Sequence, residues 1–192
     1  MSEQAEQEQT EEQESQPTPE ERREWRLAAL QLVRQYPDPV LRNPAGPVAE
    51  VDDEVRVLVE RMLGIMESAH GVGLAAPQIG VARRVLVYRA RDEDDAHVLI
   101  NPELVERSEE VEVGTEGCLS LLGGELQVPV ERHLRIRVTA QDAAGDPVEL
   151  DAEGFEARVI QHEIDHLDGV LIFDRAGDQD RREALRELRL RA

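Results

Sequence analysis

Cysteine is all but missing from this chain: Cys118 stands alone among 192 residues, so no internal disulfide can staple the fold. The lone thiol is left as a core side chain, a reactive group or a metal ligand, and burial is the usual fate of such a residue. Basic residues are scarce as well. Twenty-two Lys and Arg face 42 Asp and Glu, a formal charge of −20. That balance argues against a general nucleic-acid surface, which needs clustered cations to displace counterions. No apolar run approaches the ~20 residues needed to cross a bilayer. The N-terminus has neither the basic start nor the apolar centre of a secretory signal, so a cytoplasmic protein without membrane contact is expected.

Much of the negative charge is local. Glu3, Glu6, Glu8, Glu11, Glu12, Glu14, Glu20 and Glu21 fall among Gln, Ser, Thr and Pro, with too few apolar side chains to offset the entropy of ordering. Residues 1–21 therefore read as a disordered, solvating acidic tail. The remaining length suits one domain with a real core, assigned here to residues 22–175, followed by a basic helix over 176–192.

What the chain does have is His162-Glu163-x-x-His166, two imidazoles four residues apart with a carboxylate beside the first. On a helix the two rings fall within about 40° of each other and can hold one transition metal, with Glu163 to one side. Ile160, Ile164 and Leu167 land roughly opposite and supply a core face. An ordinary helix whose histidines cap or pair gives the same pattern. A third ligand is needed to decide, because a catalytic metal takes three protein ligands and keeps one position open.

Elsewhere, Pro19 to Gln35 reads as a short helix with Trp25, Ala28, Ala29 and Leu32 on one side, broken by Tyr36-Pro37-Asp38-Pro39. Asp52 or Asp53 caps a second helix in which Val55, Leu58, Val59, Met62, Ile65, Met66 and Ala69 keep the 3.6 period. Gly71-Val72-Gly73-Leu74-Ala75-Ala76-Pro77-Gln78-Ile79-Gly80 is a small-residue loop suited to close backbone approach, and it lacks the spacing of a nucleotide cradle. Arg84–Tyr88 and His97–Ile100 read as strands around an acidic turn at Asp92 to Asp95. Val111 and Val113 alternate toward Cys118, which sits at or just past a strand end. Leu134–Thr139 and Val148–Leu150 form a hairpin through Ala144-Gly145-Asp146-Pro147, and the His162 helix runs from near Gly154 to Gly169. Helices and strands are segregated, which predicts an α+β fold with mostly antiparallel sheets.

Three segments then stand out together: Gly71-Val72-Gly73-Leu74-Ala75-Ala76-Pro77-Gln78, Glu116-Gly117-Cys118-Leu119-Ser120, and Gln161-His162-Glu163-Ile164-Asp165-His166-Leu167. In content, order and separation they closely resemble the three motifs of the peptide deformylase family, over about Tyr36 to Phe173. The resemblance implies a deformylase-like fold with its antiparallel sheets packed around a central HExxH helix. It implies a metal-dependent hydrolase that removes the formyl group from N-terminal formylmethionine of nascent chains. Cys118, His162 and His166 would be the metal ligands. Glu163 would take a proton from the attacking water and pass it to the leaving amine. The Gln78 side chain and the Leu119 backbone N–H would face the oxyanion, and Gly71, Val72 and Gly73 would pair with the substrate as an added strand. The family commonly uses ferrous iron, and zinc, nickel or cobalt can occupy the same ligands.

Two stretches depart from the family. Many members follow Cys-Leu-Ser with Val-Pro-Gly, where this chain has Leu121-Leu122-Gly123-Gly124. Many carry an arginine soon after a Val-Pro-like step, and here Val128-Pro129 leads to Val130-Glu131-Arg132, leaving open whether Arg132 pairs with Glu116. A zincin-type metalloprotease shares HExxH, but no histidine or cysteine follows His166 to complete its site. A weakly active deformylase paralogue is the other alternative. His70, His97 and His133 read as surface or structural residues. The basic segment Arg181–Arg191 reads first as an exposed helix with i,i+4 pairs, and by resemblance as a ribosome-docking element; a monomer is the default expectation.

Overall fold

The computed structural model describes residues 17–90 and 95–191. Most of the acidic tail and of the turn expected near Asp92 lie outside the described residues. The helix α1 (Pro19–Leu30) opens with a reciprocal cap, in which the Thr18 hydroxyl accepts from the Glu21 N–H while the Glu21 carboxylate accepts from Thr18. Pro19, Glu20 and Glu21 therefore belong to this helix, not to a tail. It ends at Leu30, short of Gln35, and the chain then turns so that Val33 is buried in place of Leu32. Ala29 is buried, but Trp25 lies 52% exposed, so the expected apolar face is only partly used.

Asp52 caps α2 (Asp53–Ser68) through the Val55 N–H, and its period buries Val55, Leu58, Val59, Met62, Ile65 and Met66. At roughly 1.5–3 kcal/mol for each fully buried large apolar side chain, this stripe is a main source of the helix's stability. It packs on one face of a five-stranded antiparallel sheet, ordered β1 (Gly73–Ala75), β2 (Val85–Tyr88), β3 (His97–Arg107), β6 (Arg135–Gln141), β7 (Pro147–Glu153). Strand β2 shows the two-sided burial: Val85 and Val87 join the α2 cluster, while Leu86 and Tyr88 turn to the other face. On that second face lies α3 (Gly154–Leu167), whose Ile160, Ile164 and Leu167 pack with Leu86, Ile136 and Val138.

A separate two-stranded ribbon pairs β4 (Val111–Gly117) with β5 (Gln127–His133). Its Val128 and Val130 pack with Ile172 and Phe173 of α4 (Ile172–Arg175), Ala184 and Leu188 of α5 (Asp178–Arg191), and Cys118. The architecture is a mixture of helices and antiparallel sheets, as the segregated pattern predicts. Two strands escape the sequence pattern. Strand β1 falls inside the segment read as a glycine loop, and β5 contains Pro129, which faces Thr115 on β4, its only strand neighbour among the described residues. A proline is tolerated there because the two-stranded ribbon leaves an edge without a partner. Among the described residues, no helix is long and apolar enough to cross a membrane.

Candidate active site

The β6–β7 hairpin delivers the chain to Gly154, whose φ of +58° makes the turn into α3. Ten of the 14 residues of α3 are buried, so its polar side chains must be satisfied from within. His162 and His166, one turn apart, face the same way with ring centroids 5.0 Å apart. The β4–β5 ribbon brings Cys118 to them from the other side, with Sγ 3.1 Å from Nε2 of His166. One donor atom from each of the three residues lies within 4.8 Å of the others, and all three residues are buried.

This donor set fits a metal ion. A thiolate and two imidazoles converge within reach of bonds of about 2.0–2.3 Å. The Nδ1–H of His162 donates to the Glu116 carboxylate at 2.9 Å, which turns Nε2 to the ligand position, where a bound metal would displace its proton. Buried Oε2 of Glu163 and Nδ1 of His166 have no hydrogen-bond partner among the described residues. Such orphaned polar atoms are costly unless function requires them.

Glu116 is the hub of a buried ion network. Arg132 grips it with two bonds of 2.9 Å, and Arg158 adds a third at 2.9 Å. Arg132 also reaches Asp165 at 2.5 Å, and Asp165 is held from outside by Arg175 at 2.6 Å. The open pairing of Arg132 is thus with both Glu116 and Asp165. Burial pushes the Glu116 pKa up, but hydrogen bonds from His162 and Arg132 and the charge of Arg132 outweigh it and bring it to about 2. Glu116 is therefore a fixed anion behind His162. Burial alone would lower the His162 pKa; the contacts with Cys118 and Glu116 and the charge of Glu163 raise it well above its ordinary value. His166 moves the other way, pulled well down by burial and then by the positive charges of His162 and Arg132.

Glu163 has the opposite environment from Glu116. Burial raises its pKa to about 7, with His162 opposing and Glu116 adding to the rise. A carboxyl group that exchanges its proton near neutrality is suited to general acid–base work. The strand β1 comes very close to it: a Cβ on Gly73 would sit 2.4 Å from Oε1 of Glu163, which accounts for glycine there. Gly71 is similarly tight against Leu119, at 3.0 Å for an added Cβ.

Gln78 is 1% exposed. Its Oε1 accepts from the Ala75 N–H at 2.8 Å, which turns its amide N–H groups toward Ser120 Oγ at 3.3 Å and Cys118 Sγ at 3.7 Å. The N–H of Leu119 donates to no group among the described residues. Strand β1 forms one edge of the five-stranded sheet. The Val72 carbonyl accepts from the Arg89 N–H, so strand alternation turns the N–H and C=O of Gly73 to the unpaired side.

These groups line a cleft of about 490 Å³ with Gly71, Val72, Gly73, Gln78, Cys118, Leu119, His162 and Glu163 all contributing. Every site residue expected from the sequence lines it except His166, which lies beside Cys118. Residues that motif reading did not single out also take part. Arg158, Phe155 and Val159 come from α3, and Arg26 comes from α1. The arginines carry no motif signal; only their distance from the site in three dimensions identifies them. His97 stacks on Tyr88 and His133 bonds the Ser108 carbonyl, both away from the cleft, while His70 lies on its rim.

A family model described as polypeptide deformylase matches residues 30–182 of the chain. A protein named peptide deformylase from Acidothermus cellulolyticus is 47% identical over 161 residues, 84% of this chain and 87% of its own length. The crystal structure of peptide deformylase from Thermotoga maritima superposes with a TM-score of 0.72 at 46% identity, covering 76% of this chain and 96% of that one. A peptide deformylase from Synechococcus elongatus in complex with actinonin gives a TM-score of 0.75 at 41% identity, covering 81% and 84%.

Proposed function

The chain belongs to the polypeptide deformylase family, and on that premise we propose how its residues divide the removal of the formyl group from N-terminal formylmethionine of newly made polypeptides. Cys118, His162 and His166 hold one divalent ion, ferrous iron by preference, with zinc, nickel or cobalt able to replace it. When bound, the ion supplies Lewis acidity, which makes water nucleophilic at neutral pH and shares the charge of the oxyanion. Helix α3 is on this reading the central element around which both sheets are arranged. The carrying observation is the convergence of three ligand atoms beside the buried carboxylate of Glu163.

The chain's own residues then perform five tasks. The exposed edge at Gly71, Val72 and Gly73 binds the peptide as an added strand through main-chain bonds. Val72, Phe155 and Val159 offer apolar surface to the methionine side chain. Glu163 takes the proton of the attacking water and gives it to the departing amine, so the formyl C–N bond breaks with a neutral leaving group. The Gln78 side-chain amide and the Leu119 N–H donate to the developing oxyanion. Glu116 keeps His162 in the tautomer that can ligate.

Comparison of formyl-Met-Ala and acetyl-Met-Ala hydrolysis by metal-loaded protein tests the reading, alongside Glu163→Ala. Release of formate, little release of acetate, and loss of both in a variant that still holds metal are expected. Cleavage of an internal peptide bond instead would favour a metalloprotease. Within this reading residues 22–175 are the catalytic unit of a monomer. The Arg182, Arg186 and Arg189 face of α5, beside exposed Leu190, docks at the ribosome, and reversing those three charges should abolish co-sedimentation with ribosomes.

A further inference from the structure

Helix α1 lies almost wholly before the matched stretch 30–182, yet one of its side chains enters the cleft. The Arg26 Nε donates to the carbonyl of Ala69 at 3.3 Å, and its Nη2 donates to the carbonyl of Gly123 at 3.1 Å. Ala69 closes α2 two residues before Gly71, on the substrate-strand side of the cleft. Gly123 belongs to the loop that follows Cys118, on the other side. The guanidinium therefore spans the two rims of the mouth.

The loop it holds is the one that departs from the family's usual sequence. Gly123 adopts φ +63°, and a Cβ there would meet Leu30 at 3.2 Å, so α1 is packed directly on it. Gln35 accepts from the Gly123 N–H at 3.2 Å and donates to the Leu119 carbonyl at 2.8 Å. The segment from Arg26 to Gln35 and the Leu121–Gly124 loop thus form one docked unit beside the chemistry.

Charge distinguishes Arg26 from its neighbours. The other arginine lining the cleft, Arg158, is committed to Glu116 at 2.9 Å. Arg26 forms no ion pair among the described residues, both its bonds go to neutral carbonyls, and its Nη1 makes none. A protein with a net charge of −20 holds an unpaired cation at the entrance to its substrate cleft. Without it, the overall field would disfavour an acidic peptide.

We propose that Arg26 is a specificity-determining residue that recognises a carboxylate on the substrate peptide just behind its formylmethionine. The inference rests on the deformylase reading of the cleft. With the formyl carbon beside Glu163 and Gly73, a chain running past Gly71 toward Ala69 advances about 3.3 Å per residue. That brings the first or second residue after the methionine toward Arg26. The preferred substrates are formylmethionyl peptides with Asp or Glu at those positions.

Formate release by the metal-loaded full chain should be measured on formyl-Met-Glu-Ala-amide and formyl-Met-Ala-Glu-amide, each against its Gln counterpart. The wild type should favour at least one Glu peptide about twofold to fivefold in kcat/KM at low salt, and the ratio should shrink as salt rises. Arg26→Lys should keep a preference, Arg26→Gln should bring the ratio to one or below, and Arg26→Glu should lower it further. A wild-type ratio of one, a ratio that survives Arg26→Glu, or a loss in Arg26→Gln that is equal for Glu and Gln peptides would overturn the proposal. Formate from every peptide at equal efficiency sinks the Arg26 inference alone; formate from none of them sinks the deformylase reading as well.

Discussion

Gly73→Ala isolates the placement of the proton carrier from everything else in the site. A methyl group at Gly73 would lie 2.4 Å from Oε1 of Glu163 and 2.8 and 2.9 Å from its Cδ and Cγ. Ordinary contact at such a carbon begins near 3.4 Å, so the carboxylate must retreat by about 1 Å, a displacement that costs on the order of 100-fold when a reacting group is misplaced. The strand has no need to move. Gly73 does not use a positive φ and is paired with Tyr88, so alanine fits the backbone and leaves the main-chain edge intact. We expect kcat to fall about 100-fold with KM changed far less. The thermal midpoint should hold to within a few degrees, because restricting the unfolded chain returns about 0.4–1 kcal/mol against the contact. Formate release on formyl-Met-Ala, with metal content measured on the same sample, provides the assay. Activity within threefold of wild type would refute the argument from placement, and so would a loss explained wholly by lost metal.

Gln78→Ala should lower kcat by about 10²–10³ while metal content is unchanged, because it removes a donor aimed at the oxyanion; unimpaired kcat would remove Gln78 from the mechanism. Glu116→Ala leaves Arg132 buried without its bidentate partner, and should cost about 3–5 kcal/mol in denaturant unfolding. The same variant frees the His162 ring and should weaken metal binding about 10- to 100-fold in chelator competition. The pKa of Glu116, lowered from 4.5 to about 2, is a statement about acid stability. Its contribution is complete above 4.5 and lost as the pH falls toward 2, about 3 kcal/mol in all. Urea midpoints of wild type should therefore fall more steeply across that interval than those of Glu116→Gln, and equal slopes would contradict the assignment.

The parts of this site that follow a local period were legible in the sequence. The spacing of His162 and His166 fixes their common face on any helix, and Cys118 was placed at a strand end by the alternation of Val111 and Val113. The α2 stripe likewise appears with its cap, Asp52, in the expected place. What depended on tertiary pairing was not legible. Strand β1 is three residues long and buried throughout, so it offers no alternation to read. Glu116, Arg132, Asp165 and Arg175 are scattered over 60 positions of sequence, and only the β4–β5 ribbon lying against α3 makes them one network. The apolar pattern of α1 suggested a longer helix with Trp25 inward. Its role instead depends on where the following turn docks, which puts Arg26, a residue with no motif around it, in the cleft.

The central claim is that one ion on Cys118, His162 and His166 works with Glu163 to release formate. Titrating metal-free protein with one divalent metal while recording formate release from formyl-Met-Ala tests it most directly. Activity should rise in proportion to added metal and level off at one ion per chain, and Glu163→Gln should bind one ion with turnover reduced by about 10²–10⁴. Full turnover without metal, or wild-type turnover by the one-ion Glu163→Gln protein, would contradict the account.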